Sequence, residues 1–416
     1  MIRFILADLR RFSGGAFAVV ILIALSVALS VAVTLQERAV RLGSARAAEK
    51  FDLLVGAPGS ETQLALSSVF LQPAPLPLLS GEVLARLADD PRVAMAAPIG
   101  FGDSSFGHPI VGTTTALVAT LSPTLSEGAV FAHLGEAVAG ADVPLSVGAE
   151  VKPMHGSVET GGETHTEVTY RVTGRMAPTG TAWDRAILVP IRAVWSLHGM
   201  GGEHEEDHEH HGAEDHAEEH EHGHVDADAP LDEHFNAETP GIPAILVKPK
   251  TIADAYRLRQ EYRSETTLAV FPAEVLTRLY GTLGDARSLL LAIAIGTQGI
   301  VIAAILLVAI MHIGSRRRQI GALRALGAPL RAVVTIVWGE LFLLFVAGIA
   351  LGGALGLAVA ELVSARMTAA TAVRLPVEFA RDDWRLAAGF VIAAALVSLV
   401  PAIGALRLSP AAALRS

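Results

Sequence analysis

Eight of the fifteen histidines in this chain of 416 residues fall between positions 204 and 224: His204, His208, His210, His211, His216, His220, His222 and His224. They alternate with carboxylates, and neutral imidazole beside oxygen donors suits zinc, and also copper or nickel. The tract is polar throughout and flanked by glycine, so it is expected to be disordered without metal. Ordering such a loop opposes binding, so zinc is expected at low affinity and no cofactor is expected to be tightly bound. A solvated low-complexity loop explains the same composition. HEEDH at 204–208 matches the H-E-x-x-H of zinc proteases. In so His- and Glu-rich a run that match is expected by chance, and a protease helix needs an apolar face that is missing here. A second arrangement lies in ETHTEV (163–168), where alternation puts Glu163, His165 and Glu167 on one strand face. A turn at Gly161–Gly162 would bring His155 beside them, although an exposed polar hairpin explains those residues too.

The other stretch with chemistry in it is basic. IGSRRRQIGALRALGAPLR (313–331) carries five arginines and no acid. Ile320, Leu323 and Leu326 recur at three-residue steps on one side of a helix, while Arg317 and Arg324, seven apart, share another. Gly327 is a natural helix end and Pro329 suits the first turn of the next helix. The spacing predicts a short amphipathic helix along a membrane surface, arginines toward water or a partner. An ordinary positive-inside loop would have the same charges.

The elements that must position these stretches are mostly apolar. Of the chain, 51% is hydrophobic, 18% is charged and the mean hydropathy is +0.47, values that point to a membrane protein. The net charge of −10 comes from one insert: Glu203–Glu238 holds fifteen acids and no Lys or Arg, and without them the balance is +5. Having no cysteine, the chain has no disulfide, thiolate metal site or cysteine nucleophile. No basic face interleaves with aromatics, which argues against nucleic acid as a partner.

Four charge-free runs, Phe12–Gln36, Ser288–Ser315, Leu341–Ala360 and Leu386–Leu406, are each long enough to cross a bilayer. The first is longer than the apolar part of a signal peptide and reads as an uncleaved anchor. Ile2, Ile5, Leu6 and Leu9 oppose Arg3 and Arg10 in an interfacial helix before it. Basic segments at 3–11, 313–331 and the tail fall on one side, which the positive-inside rule makes cytoplasmic. The resulting layout is a cytoplasmic amphipathic helix at 1–13, spans at 14–36, 286–313, 332–360 and 385–406, a cytoplasmic loop at 314–331, an outer loop at 361–384 and a cytoplasmic tail at 407–416. Residues 37–285 form the extracytoplasmic region. Gly348, Gly352 and Gly356 repeat every fourth residue, the spacing that lets two membrane helices approach closely. Glu340 is the one carboxylate inside a span. It suits a helix-packing acid near the inner interface as well as a proton or ion site.

In the outer region, FDLLVGAPG (51–59), Val93–Ile99, Pro109–Thr113, AILVKPK (244–250) and TTLAVFP (266–272) read as strands, and Gly81–Ala88, Thr251–Ser264 and Ala273–Arg287 as helices. A β-rich insert at about 114–200 and a disordered acidic loop at 202–235 lie between two strand–helix–strand units. The fold class is an α-helical membrane protein with four transmembrane helices plus an extracytoplasmic mixed α/β domain with a β-rich insert.

SRRRQIGALRALGAPLRAV (315–333), GELFLLFVAGIALGGALG (339–356) and PAIGALRLSPAAALR (401–415), with the FDLLVGAPG strand, resemble the MacB/FtsX-type ABC transporter permeases. The resemblance covers nearly the whole chain. It implies a dimer of identical or paired permeases in the cell inner membrane, a periplasmic α/β domain, and mechanical transmission from a cytoplasmic ATPase. Arg317, Arg318, Ile320, Leu323 and Arg324 would be the ATPase-coupling residues. MacB itself carries a fused nucleotide-binding domain, but here no G-x-x-x-x-G-K-[ST] loop occurs. The chain is therefore expected not to be an enzyme, with its ATPase a separate partner. Metal handling, release of a periplasmic or membrane substrate, and FtsX-like activation of a cell-envelope hydrolase through a periplasmic partner are the functions that follow.

Overall fold

The computed structural model describes residues 13–155, 168–200, 225–281 and 329–406, with 292, 295, 296, 299, 302, 303 and 306. The chain divides into two compact units. One comprises Met1–Arg41, Thr282–Arg366 and Pro376–Ser416, the other Leu42–Gly281 and Met367–Leu375.

The second unit is mixed α/β. Its strands β1 (Leu53–Gly56), β2 (Val93–Ser105), β10 (Ala244–Pro249) and β11 (Leu268–Val270) lie in the order β11-β1-β10-β2, every neighbouring pair antiparallel. Helices α2 (Glu61–Phe70) and α3 (Gly81–Asp89) join β1 to β2, and α6 (Ile252–Glu261) joins β10 to β11. Each strand–helix–strand unit thus receives a strand of the other between its own two, the ferredoxin-like arrangement. β1 is apolar at successive positions because both its faces are covered. Leu54 packs with Leu64, Ala65 and Val69 of α2, while Leu53 and Val55 pack with Val83, Leu84 and Leu87 of α3.

The sheet does not stop there. β2 pairs through Val93–Ile99 with β10 and through Gly100–Ser105 with β3 (His108–Thr113). The turn between β2 and β3 has Phe106 at φ 50° and Gly107 at φ 77°, the handedness that matches strand twist. From β3 the sheet continues through β9 (Ile187–Pro190), β5 (Glu136–Ala139), β8 (Tyr170–Met176) and β4 (Leu125–Gly128), while β6 (Glu150–Val151) pairs with β8 and β7 (Met154–His155) with β2. The segment 114–200 holds β4 to β9 among its described residues. It is also part of one eleven-stranded sheet and carries α4 (Thr115–Leu121) and α5 (Ile191–Leu197). The thirteen residues of β2 cause that continuity, since they outrun the four-strand half.

The acidic loop needs a correction at its far end. Residues 225–235 are ordered. Val225 is buried, the Leu231 N–H donates to Ala132 O at 2.9 Å, and Phe235 meets Trp195 edge-on at 6.2 Å. The Glu233 carboxylate accepts from Thr115 N at 2.6 Å and Thr115 Oγ1 at 2.7 Å. Val225, Leu231 and Phe235 supply apolar surface that the histidine tract does not have, and burying it offsets the cost of ordering the chain.

The first unit holds α1 (Ser13–Ala48, whose last turns belong to the α/β unit), α7 (Leu330–Thr371, likewise) and α8 (Arg381–Leu406). Among the described residues three helices are long and apolar enough to cross a membrane, within Gly14–Ala48, Arg331–Thr371 and Arg381–Ile403. The expected span 286–313 falls on residues of which only the seven isolated positions are described. α1 and α7 outlast their expected spans, ending at Ala48 and Thr371 rather than 36 and 360, so 361–371 of the expected outer loop is helical. At 1.5 Å per residue, the 42 residues of α7 measure about 63 Å against a hydrocarbon core of about 30 Å. Ionic residues at Glu37, Arg38 and Arg41 on α1, and at Glu361 and Arg366 on α7, mark where each helix leaves apolar surroundings.

Candidate functional site

The glycine repeat faces α1. A Cβ on Gly348 would stand 2.6 Å from Ile23 Cβ, one on Gly352 2.6 Å from Ala24 O and 2.7 Å from Val27 Cβ, and one on Gly356 2.7 Å from Val31 Cβ. Real side chains do not tolerate such distances, so only glycine lets the two backbones lie this close. Gly353, beside them in sequence, meets nothing within 4 Å. Where the helices converge, Ile23, Val27, Phe345 and Ala394 form a buried cluster with Phe342, Ile349 and Val397 around it. Trp338 stacks on Phe342 at 4.9 Å and its Nε1–H donates to Ala395 O of α8 at 2.9 Å.

A polar clasp stands just past the apolar run of α1. The Arg38 guanidinium donates to Asp383 through Nη1 at 2.5 Å and Nη2 at 2.9 Å, and to Glu378 O at 3.0 Å. Asp383 also accepts the Ala380 N–H at 2.8 Å, capping the first turn of α8. A planar guanidinium matches a carboxylate bidentately, and both side chains are mostly buried, with 15% and 13% exposure. No local pattern in the sequence marks this pair. The one signal was that Arg38 and Asp383 each adjoin an apolar run, and 345 positions separate them.

Residues 291–410 match the family model of the FtsX-like permease C-terminal region. The likeness to MacB/FtsX-type permeases drawn from the sequence is borne out over this segment. None of the curated proteins matches the chain. Solved structures are also similar to it, among them two extracytoplasmic domains. The periplasmic region of MacB from Actinobacillus actinomycetemcomitans is 9% identical with a TM-score of 0.32, covering 56% of this chain and 95% of that one. The extracellular domain of the ABC-type transporter YknZ from Gram-positive bacteria is 10% identical with a TM-score of 0.29, covering 53% and 98%.

Within the FtsX-like region, Gly348, Gly352, Gly356 and the half-buried Glu340 all lie on α7. Arg317, Arg318, Ile320, Leu323 and Arg324 lie outside the described residues, as do the amphipathic helix at 1–12 and the tail at 407–416. The same holds for His204, His208, His210, His211, His216, His220, His222 and His224, and for Glu163, His165 and Glu167. His155 is described through its backbone, opposite Asp103 of β2. Among the described residues no three histidines or carboxylates are grouped to hold a metal ion.

The electrostatics of the α/β unit are local. Arg92 clasps Asp90 at 2.5 Å and Glu261 at 2.8 Å, and its hydrogen bond holds the Asp90 carboxyl below the usual range. Burial pushes the Tyr170 hydroxyl upward, reinforced by the charge of Asp103.

Proposed function

We propose that this chain is the permease subunit of an ABC-type complex in the inner membrane, working as a dimer of identical or paired permeases. The match of residues 291–410 to the FtsX-like permease C-terminal region carries this reading. In it the chain crosses the membrane four times, the α/β unit is extracytoplasmic, and 314–331 meets a cytoplasmic ATPase. These 416 residues hold no phosphate-binding loop, so hydrolysis is supplied from outside them. Helix continuity supports mechanical transmission. α1 and α7 are continuous from their apolar runs into residues of the α/β unit, so a displaced helix carries part of that unit with it. The tract at 204–224 favours metal handling, with zinc or a zinc-bearing molecule as the substrate class.

Purification of the tagged chain from native membranes tests the assignment. An ABC ATPase should accompany it, and a folded chain that recovers none contradicts the proposal. A cysteine at Ser157 should react with an impermeant reagent from outside the cell and one at Ser315 should not. The chain has no native cysteine to confuse the result.

A further inference from the structure

Met367–Leu375, the end of α7 and the turn after it, belong to the α/β unit. That end is tied down by several contacts. Ala372 sits at φ 57°, a left-handed position that favours glycine, yet it is buried, as is Val373. The Ala372 N–H donates to Thr368 O at 2.7 Å and the Leu375 N–H to Thr368 Oγ1 at 3.3 Å. A Cβ on Gly43 of α1 would stand 2.6 Å from both Arg374 O and Leu375 Cδ2, so the two segments touch backbone to backbone. One residue on, Ser44 accepts the Tyr280 hydroxyl at 2.5 Å.

Facing this end is the turn 179–185. The buried Asp184 carboxylate accepts from Thr179 N at 2.8 Å, Thr179 Oγ1 at 2.7 Å and Gly180 N at 2.7 Å. Asp184 O accepts from Asp142 N at 2.8 Å. Fully buried Trp183 donates to Ser68 O at 3.2 Å and lies 6.0 Å from the Phe51 ring. The His108 ring Nδ1–H donates to Arg185 O at 2.9 Å. The carboxylate bonds hold the turn together, and the bonds to Asp142, His108 and Ser68 tie it to the rest of the unit. One link runs from it to α7 and one to the turn after that helix: the Arg185 guanidinium donates to Ala370 O in the last turn, and the Arg374 N–H donates to Gly180 O at 3.3 Å. The last carbonyls of a helix have no partner within it and carry partial negative charge, which a cation from outside the helix satisfies.

We propose that Arg185 is a positioning residue that fixes the end of α7 to the sheet, so that displacement of this helix reaches the α/β unit without slack. The inference rests on the permease reading. It assigns the transmission to a side chain within the α/β unit.

The test uses the full chain with its ATPase in lipid nanodiscs, with spin labels at Glu265→Cys in the α/β unit and Arg385→Cys on α8. Arg185→Met keeps the apolar stem and loses the donors; Arg185→Lys keeps a cation; Arg185→Ala removes both stem and charge. In the native complex the distance distribution should shift between nucleotide-free and ATP-bound states. Arg185→Met and Arg185→Ala should lose at least half of that shift, with basal ATP hydrolysis within about twofold of native, and Arg185→Lys should retain it. Melting temperature identifies a variant that misfolds, and the comparison is then made with the other of the two. An undiminished shift in a folded Met or Ala variant overturns the Arg185 assignment alone. No shift in the native complex overturns the permease reading, and this inference with it.

Discussion

Arg38 and Asp383 face each other through two hydrogen bonds, at 2.5 and 2.9 Å, joining the far end of the α1 apolar run to the first turn of α8. Removing either partner leaves a mostly buried charge without its counter-charge. Arg38→Ala or Asp383→Asn should each cost about 2–3 kcal/mol. The double variant should cost clearly less than the sum, read from unfolding of the purified chain in mild detergent. Additive losses would show that the pair is not energetically coupled.

Gly352 lies hard against α1, with Ala24 O and Val27 Cβ both in the way of a side chain. Gly352→Val should force the helices apart and lower stability by about 1–3 kcal/mol. Gly353→Ala, where nothing lies within 4 Å, should stay within about 0.5 kcal/mol of native. Equal melting temperatures for the two variants would remove the packing role of the repeat.

The α/β unit should lose stability in acid through Asp90. Arg92 depresses its folded pKa, whereas the unfolded value is about 3.9. The stabilisation is therefore complete above about pH 5 and is lost as pH falls through the depressed folded value. Asp90→Asn should cost most at neutral pH, and its difference from native should shrink toward pH 3. A difference independent of pH would place the effect elsewhere.

These residues also show what the sequence could and could not tell. Strands such as Leu53–Gly56 and Ala244–Pro249 were legible because continuous apolar runs mark strands covered on both faces. The glycine repeat was legible because spacing alone encodes its face. The joining of β2 to β3 into a single sheet was not, since Ser104 and Ser105 are polar and pairing of such residues leaves no periodic trace. Nor was the order in 225–235, where three large apolar residues, Val225, Leu231 and Phe235, sit in an acidic run. The Arg38–Asp383 clasp and the Arg185–Ala370 link depend on segments brought together only by the finished fold, so no local pattern announces them.

Zinc should bind reversibly to the full chain, and removal of 203–224 should abolish most of that uptake while leaving the melting temperature unchanged. Neutral imidazole is the binding form, so uptake should weaken as pH falls below about 6.5. Calorimetry on the two proteins decides the point. Equal uptake with and without the tract would end the metal assignment.

The central claim is that a separate ATPase is coupled to this chain through its basic cytoplasmic segment. The most direct measurement is ATP hydrolysis by the purified partner, with and without the permease in nanodiscs, for the native chain and for Arg317→Glu with Arg324→Glu. Reversing two charges at a basic docking face turns attraction into repulsion. The native chain should change the hydrolysis rate severalfold, and the double variant, equally inserted in the membrane, should not. Equal stimulation by both proteins would contradict the claim.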